Sequence, residues 1–157
     1  MDLARWQLDQ IYFHTNRFVA VSYPFAFIFC FVLKRREIYL LLVIDLRPYY
    51  AQWVQKFKVL IYYGDVDGAV PYNGGEKWTE GLGYKIKEAW RPWTTNGENL
   101  MGGYVQMYDT PYNFTFLTVR GSGHMVPQYK PPEALAMFKF WLFDLGYPPY
   151  TGVPTFY

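Results

Sequence analysis

The sequence has few of the residues that bind metals or form disulfides. Among its 157 residues are two histidines and a single cysteine, Cys30, so no internal disulfide can form and no cluster of zinc ligands is available. We therefore predict neither a metal site nor a cofactor. The 15 basic and 13 acidic residues give a net charge of +2, and the basic residues are mostly scattered along the chain, so the sequence does not indicate nucleic-acid binding.

The sequence also lacks an apolar run long enough to cross a membrane as a helix. Residues 18–33 are almost all apolar, but they number sixteen and include Pro24, whereas a spanning helix needs about twenty residues. Basic residues 34–36 follow this run, where a signal peptide would instead have small residues at a cleavage site. A membrane anchor is the alternative interpretation, but we expect no membrane partner and regard residues 1–45 as an atypical apolar segment.

The sequence does contain enough apolar material for one domain, together with two short strands that end in polar loops. Hydrophobic residues make up 52% of the chain and aromatic residues 22%, which is enough for a single core. Residues 58–63 and 114–119 are rich in β-branched and aromatic residues, which predicts strands. A turn that carries Asp65 and Asp67 follows the first strand, and a glycine-rich turn that carries His124 follows the second.

The position of His124 allows two interpretations. Open α/β sheets keep their chemistry at the carboxyl ends of the strands, and a neutral imidazole can accept and return a proton near neutral pH, as a general base must. The alternative is a loop histidine held by local hydrogen bonds. The chain order, acid and then histidine, favours the first interpretation, because it matches the second half of the Ser, Asp, His order of α/β-hydrolases.

Three motifs in one order resemble the serine carboxypeptidases (peptidase family S10). Residues 59–78 resemble the family's acid segment, Leu-Ile-Tyr-x-Gly-Asp-x-Asp with a Gly-x-Glu-x-Trp helix. Residues 89–93 resemble its Trp-Arg-Pro-Trp strand, and residues 116–142 resemble its Thr-Val-Arg-Gly-x-Gly-His-Met-Val-Pro block and the following helix. Several motifs in order are more specific than one alone. The resemblance implies an α/β fold, namely an incomplete, C-terminal portion of an α/β-hydrolase sheet with parallel core strands, an added hairpin and flanking helices.

Carried over residue by residue, the resemblance implies roles for three side chains. Asp67 would be the acid of a catalytic triad, His124 its general base, and Met125 part of the pocket for the departing C-terminal side chain. Asp65 is the competing acid, and Asp67 is preferred because the acid loop of hydrolases usually reads Gly-x-x-Asp from the strand end. We then expect Asp65 to be a turn former whose carboxylate accepts nearby backbone amides. The alternative role for Met125 is gap-filling packing.

Neither serine of this sequence fits the family's nucleophile. The family places it in a Gly-Glu-Ser-Tyr-x-Gly elbow, whereas Ser22 lies in Val-Ser-Tyr-Pro and Ser122 lies two residues from the histidine that it would have to face. The chain thus resembles the C-terminal portion of a serine-type carboxypeptidase, which releases C-terminal amino acids through an acyl-enzyme, and we expect it to be inactive alone. The alternatives are a truncated, non-catalytic relative that acts as a binding or regulatory piece, and an acyltransferase with the same triad.

The resemblance also implies partners and a compartment. The partners would be peptide substrates and the N-terminal portion of the same enzyme, and the full-length enzyme could form a homodimer. Asn113 begins an Asn-Phe-Thr sequon at a predicted turn, which makes it a candidate glycosylation site. Together these features indicate a lysosomal, vacuolar or secreted protein, although no signal-peptide pattern is found in this chain.

Helix and strand signals divide the rest of the chain. We assign residues 1–45 to the atypical segment, 46–147 to the catalytic portion and 148–157 to a tail. Residues 85–93 and 102–109 are predicted strands, and residues 48–57 and 72–82 predicted helices, the latter with Asn73 as a candidate N-cap. A further helix is predicted from Pro131, with this buried stripe: Ala134, Met137, Phe138, Trp141 and Leu145.

Overall fold

The computed structural model describes residues 47–96 and 100–152 with their side chains, and the backbone of three short strands before them. These three strands are β1 (Phe18–Val21), β2 (Ile28–Phe31) and β3 (Leu40–Val43). The remaining elements, in chain order, are α1 (Arg47–Trp53), β4 (Lys58–Gly64), α2 (Tyr72–Glu80), β5 (Ile86–Thr94), β6 (Met101–Tyr108), β7 (Phe114–Val119), α3 (Val126–Tyr129) and α4 (Pro131–Leu142).

Five strands form a mixed sheet in the order β1-β4-β7-β6-β5, and β2 and β3 form a separate antiparallel pair. β4 and β7 lie parallel, in register from Val59 opposite Phe114 to Gly64 opposite Val119. β6 lies antiparallel to β7 and closes a hairpin with β5. The predicted α/β fold, with parallel core strands, an added hairpin and flanking helices, is therefore confirmed.

Helices cover both faces of the two central strands. Every residue of β4 and of β7 is buried, as expected of parallel strands that are covered on both sides. On one face, Leu60 and Leu117 pack with Met137 of α4. On the other face, residues of both strands pack with Tyr50 of α1 and Trp78 of α2. Both core strands are therefore packed on both faces, and the two loops continue from their buried ends.

Trp93 fastens the hairpin to the central strands. Its side chain is fully buried, and its indole N–H donates to the Thr118 carbonyl oxygen of β7 at 3.1 Å. Two glycines of β6 make room for this approach. A Cβ at Gly102 would lie 2.7 Å from the Trp93 ring, and one at Gly103, whose φ is 146°, would overlap the Thr118 carbonyl oxygen. The β6 backbone therefore lies directly against the Trp93 ring at Gly102 and directly against the β7 backbone at Gly103.

Two local predictions were wrong. Leu145 was expected to extend the buried stripe of the last helix, but it is exposed, because α4 ends at Leu142 and Asp144 then turns the chain with a φ of 54°. Asn73 was expected to cap α2, but this helix begins at Tyr72, and its N-cap position, Pro71, makes no side-chain capping bond. Burial of Ala134, Met137 and Trp141 in α4 is confirmed.

The interpretation of residues 1–45 as an atypical apolar segment concerns side chains that lie outside the described residues. The backbone in this range shows that β1 pairs in parallel with β4, with Phe18 opposite Lys58, and that β2 pairs with β3. Within the part of the chain that the structure describes, none of the helices has the length and apolar character needed to cross a bilayer.

Candidate active site

The acid loop begins where β4 ends. After Gly64 the chain turns so that the Asp67 carboxylate points inward, leaving Asp67 only 8% exposed. Its Oδ1 atom accepts hydrogen bonds from the backbone N–H groups of Ala69, at 2.9 Å, and Val70, at 3.0 Å. Aspartate often bonds its own backbone two or three residues ahead in this way. The loop itself therefore fixes the orientation of the carboxylate.

The histidine loop begins where β7 ends, beside the acid loop. Because β4 and β7 are parallel neighbours, their carboxyl ends meet at one edge of the sheet. Gly121, with a φ of 66°, takes the left-handed conformation that turns the chain back. His124 follows, and its Nδ1 atom lies 2.7 Å from Oδ2 of Asp67. The structure thus places Asp67 and His124 within hydrogen-bond distance, as the resemblance implies.

The charge state of Asp67 follows from its contacts. Burial raises the pKa of the carboxyl, but hydrogen bonds from the Val70 N–H, the His124 ring and the Ala69 N–H outweigh burial and hold the pKa below its ordinary value of 3.8. The carboxylate is thus ionised at neutral pH and can only accept, so Nδ1 of the His124 ring donates. The other ring nitrogen, Nε2, then carries the lone pair that can accept a proton. The His124 side chain is 38% exposed, which makes the ring accessible.

Asp65 has a different function on the same loop. Its carboxylate accepts the Gly121 N–H at 2.6 Å. The partner is a backbone amide, as expected, but it belongs to the histidine loop and not to Asp65's own turn. Two backbone hydrogen bonds join the same loops, from Asp65 N–H to the Val119 carbonyl oxygen at 3.1 Å and from Val66 N–H to the Ser122 carbonyl oxygen at 3.2 Å. Asp65 therefore ties the acid loop to the histidine loop, while Asp67 contacts the histidine.

Sequence reasoning missed Gly64, the residue that lets the two loops approach. A Cβ built on Gly64 would overlap the carbonyl oxygens of Ser122 and Gly123, both of which are backbone atoms. The available signal was a glycine at the end of an apolar strand, which often marks a close backbone approach. A glycine is thus required here because two loops come into contact that are distant in the sequence. Their residues Asp67 and His124 are 57 positions apart.

Two more predicted residues lie near the histidine. Met125 follows His124 directly, just before α3, and its side chain is 53% exposed. Its role in binding substrate stays a prediction. Ser122 is fully buried, and its hydroxyl donates to the Gly123 carbonyl oxygen at 3.1 Å. Ser22 lies outside the described residues.

The sequon lies far from this pair. Asn113 precedes β7, at the opposite edge of the sheet, and takes a left-handed φ of 59°. Its Oδ1 atom accepts a hydrogen bond from Lys87 Nζ at 2.8 Å, and the next two residues, Phe114 and Thr115, are buried in β7. Glycosylation of Asn113 stays a prediction.

Comparisons with known proteins agree with this geometry. The sequence model of the family described as serine carboxypeptidase matches residues 42–144. Serine carboxypeptidase 1 of Hordeum vulgare is 46% identical over 88 residues, which are 56% of this chain and 17% of that protein. Serine carboxypeptidase-like 21 of Arabidopsis thaliana is 48% identical over 86 residues, 55% of this chain and 17% of that protein. Serine carboxypeptidase-like 33 of Arabidopsis thaliana is 41% identical over 101 residues, 64% of this chain and 20% of that protein.

The chain spans only 16% to 20% of the length of these relatives, which is about a sixth to a fifth. Within this chain the matched region covers β4 to α4, and so it includes both Asp67 and His124. The family model extends over well more than half of the 157 residues. The chain therefore belongs to the serine carboxypeptidase family.

Proposed function

We propose that this chain carries the acid and the base of a serine-type carboxypeptidase. His124 is the general base, and Asp67 holds its ring and stabilises the charged form. The 2.7 Å contact between Asp67 Oδ2 and His124 Nδ1, at the shared carboxyl edge of β4 and β7, carries the proposal. Family membership supports it, because a base oriented by a buried carboxylate is what acyl transfer to a serine requires.

The proposed chemistry uses Nε2 of His124. This nitrogen takes the proton of a serine hydroxyl as the serine oxygen attacks the C-terminal peptide carbonyl, and it later returns the proton to the departing amine. An acyl-enzyme and a free C-terminal amino acid result. Water then attacks the acyl group, and Nε2 takes the proton of the water and returns it to the serine oxygen as the acyl group leaves. Asp67 stays ionised throughout because its backbone hydrogen bonds keep its pKa low, and its charge stabilises the imidazolium.

The nucleophile in this proposal is neither Ser22 nor Ser122. Ser122 is fully buried and donates its hydroxyl to the Gly123 carbonyl oxygen, which is not the arrangement of an exposed elbow serine. We propose that the N-terminal portion of the enzyme supplies the elbow serine, and that this chain alone is inactive. The greater length of the relatives supports this assignment.

We also propose a role for Met125 and a compartment for the protein. The exposed Met125 side chain, directly after the base, would contact the side chain of the residue that is released from the peptide substrate.

The sequon at Asn113 and the family together support a lysosomal, vacuolar or secreted location, with Asn113 as the glycosylated residue.

A chimera tests the proposal. In barley serine carboxypeptidase 1, the segment that matches this chain would be replaced by the corresponding residues of this chain, and hydrolysis of a blocked dipeptide and labelling by a fluorophosphonate would be measured. We expect an active chimera, loss of labelling in His124→Ala, and a fall in kcat of about 10⁴ in Asp67→Asn, the effect of removing an orienting carboxylate charge. An added alcohol acceptor would show whether the acyl group passes to water or to the alcohol.

Asp65→Asn is the matched control for this experiment. The asparagine side chain can still accept the Gly121 N–H, so loop structure is kept while one negative charge of the same loop is removed. We expect its kcat to stay within about tenfold of the parent. Equal losses in Asp65→Asn and Asp67→Asn would contradict the assignment of the acid. Labelling of the isolated chain at Ser122 would contradict the assignment of the nucleophile, and a folded chimera without activity would favour a non-catalytic relative.

A further inference from the structure

A cavity lies at the other end of the sheet, between the amino ends of β4 and β7 and the end of α4. Its volume is about 250 Å³, and its lining includes Lys58, Lys87, Thr115, Trp141, Asp144 and Tyr147. A dry apolar cavity of about 150 Å³ already holds a benzene ring. This cavity therefore has room for one aromatic ring and a few polar atoms, which corresponds to a metabolite rather than to a peptide.

One ion pair forms within this cavity, and the Lys87 ammonium has no carboxylate partner among the described residues. The buried Lys58 ammonium donates to the Trp141 carbonyl oxygen at 2.7 Å and pairs with Oδ1 of Asp144 at 2.5 Å. Asp144 itself is 63% exposed, so its second oxygen is accessible. Lys87 donates to the neutral Asn113 side chain, and among the described residues no carboxylate pairs with it. The cavity thus offers a cation in Lys87 and, in the second oxygen of the Lys58-paired Asp144, a hydrogen-bond acceptor.

Thr115 supplies an independent observation. The residue is 1% exposed, and within the described ranges its Oγ1 atom has no hydrogen-bond partner. A buried hydroxyl without a partner destabilises a fold, so such a group needs an explanation. A ligand atom that accepts its hydrogen would provide that explanation, because Thr115 lines the cavity.

We propose that this cavity binds a free α-amino acid with a large apolar side chain. The ligand carboxylate would bind Lys87 and the Thr115 hydroxyl, its ammonium group would bind Asp144, and its side chain would pack against Trp141 and Tyr147. A zwitterion with an apolar side chain matches one cation, one accessible carboxylate and aromatic walls. The inference uses neither Asp67 nor His124, so it stands whether or not the proposed carboxypeptidase activity is correct.

Titration calorimetry of the full chain with phenylalanine tests the inference, and three analogues test each contact. N-acetylphenylalanine lacks the ammonium group, phenylalaninamide lacks the carboxylate, and alanine lacks the ring. We expect phenylalanine to bind with a Kd of about 1 mM or tighter and each analogue to bind about tenfold or more weakly. Binding of N-acetylphenylalanine as tight as that of phenylalanine would overturn the proposal and favour a peptide C terminus as the ligand.

Variants of the lining complete the test. Lys87→Gln and Asp144→Asn should each weaken binding about tenfold, and asparagine tolerates the left-handed φ of position 144. Thr115→Val should weaken binding too, while the free protein unfolds at the same or a higher temperature because a buried unpaired hydroxyl is gone. The matched controls are Lys85→Gln, an exposed lysine just before the same strand, and His124→Ala.

Both controls should bind phenylalanine as the parent does. Unchanged affinity in Lys87→Gln and Asp144→Asn would overturn the proposal, as would the absence of binding to a chain whose circular dichroism shows it to be folded. Loss of binding in His124→Ala would place the amino acid at the Asp67–His124 pair instead and would likewise overturn it. A failure of the carboxypeptidase proposal alone would leave the binding results unchanged.

Discussion

Gly64→Ala tests whether contact between the two loops sets the geometry of the Asp67–His124 pair. The added Cβ would overlap the carbonyl oxygens of Ser122 and Gly123 and lie 2.6 Å from the Ser122 carbonyl carbon. These are backbone atoms, so no side chain can rotate away. The acid loop and the histidine loop must therefore move apart.

The cost can be worked out from the contacts that this movement would break. Overpacking of a well-packed site costs about 1–3 kcal/mol. Besides the Asp67–His124 contact, three hydrogen bonds join the loops, and loss of two of these three adds about 1 kcal/mol each. Replacing a glycine stabilises by about 0.4–1 kcal/mol through the unfolded chain. The free energy of unfolding should thus fall by about 2–4 kcal/mol, and at about 2–4 °C per kcal/mol the Tm should fall by about 10 °C.

Gly68→Ala is the matched control, since Gly68 lies on the same loop and a Cβ there would meet nothing within 4 Å. Its Tm should rise slightly or stay unchanged. The assay is thermal unfolding followed by circular dichroism, together with the NMR signal of the hydrogen-bonded His124 Nδ1–H, which should be lost only in Gly64→Ala. Equal Tm values for the two variants, or an unchanged Nδ1–H signal, would refute the reasoning.

Two further predictions concern buried polar groups. The pKa of Asp67 is lower in the folded than in the unfolded chain, so its carboxylate contributes stability that is complete above the ordinary value of 3.8 and is lost as the pH falls below it. Urea midpoints measured from pH 6 to pH 2 should therefore decline less steeply in Asp67→Asn, and an identical decline would contradict this. Tyr108→Phe removes a buried hydroxyl that accepts from Gln106 at 2.8 Å and donates to Thr79 at 3.2 Å, which should cost about 1–3 kcal/mol in urea unfolding. Tyr104→Phe, at a partly exposed tyrosine, should cost less than about 0.5 kcal/mol, and equal costs would show that the buried network adds nothing.

Much of the fold follows from local signals in the sequence. Runs of β-branched and aromatic residues predicted the strands observed as β4 (Lys58–Gly64) and β7 (Phe114–Val119), because such residues fit a pleated, buried surface. Proline at the first turn and the apolar spacing predicted α4, with Met137 and Trp141 buried. The motifs around Asp67 and His124 indicated the family, and the comparisons confirm it.

Local signals were less reliable where distant parts of the chain decide the outcome. Leu145 continues the helical spacing of α4, but the chain leaves the helix before it, and the side chain is exposed. Gly64 looks like an ordinary turn glycine in the sequence, because the carbonyl groups that exclude a side chain belong to a loop nearly 60 residues later. Spacing along the chain contains no information about such a contact.

By itself, the sequence determined the family, strands β4 to β7, and the two loops that carry the acids and the histidine, since each depends on neighbouring residues. It did not predict β1, β2 and β3, which lie within the segment described as atypical. The motif spacing favoured Asp67 over Asp65 by analogy, but only the tertiary structure decided which acid contacts the histidine. Asp65 and Asp67 are two residues apart on one loop, and their chemistry is the same. The parallel pairing of β4 with β7 brings the histidine loop alongside, so that Asp65 meets the Gly121 amide and Asp67 meets the His124 ring. Pairing between strands that are distant in the sequence sets the position of each side chain, so this contact depends on the tertiary structure.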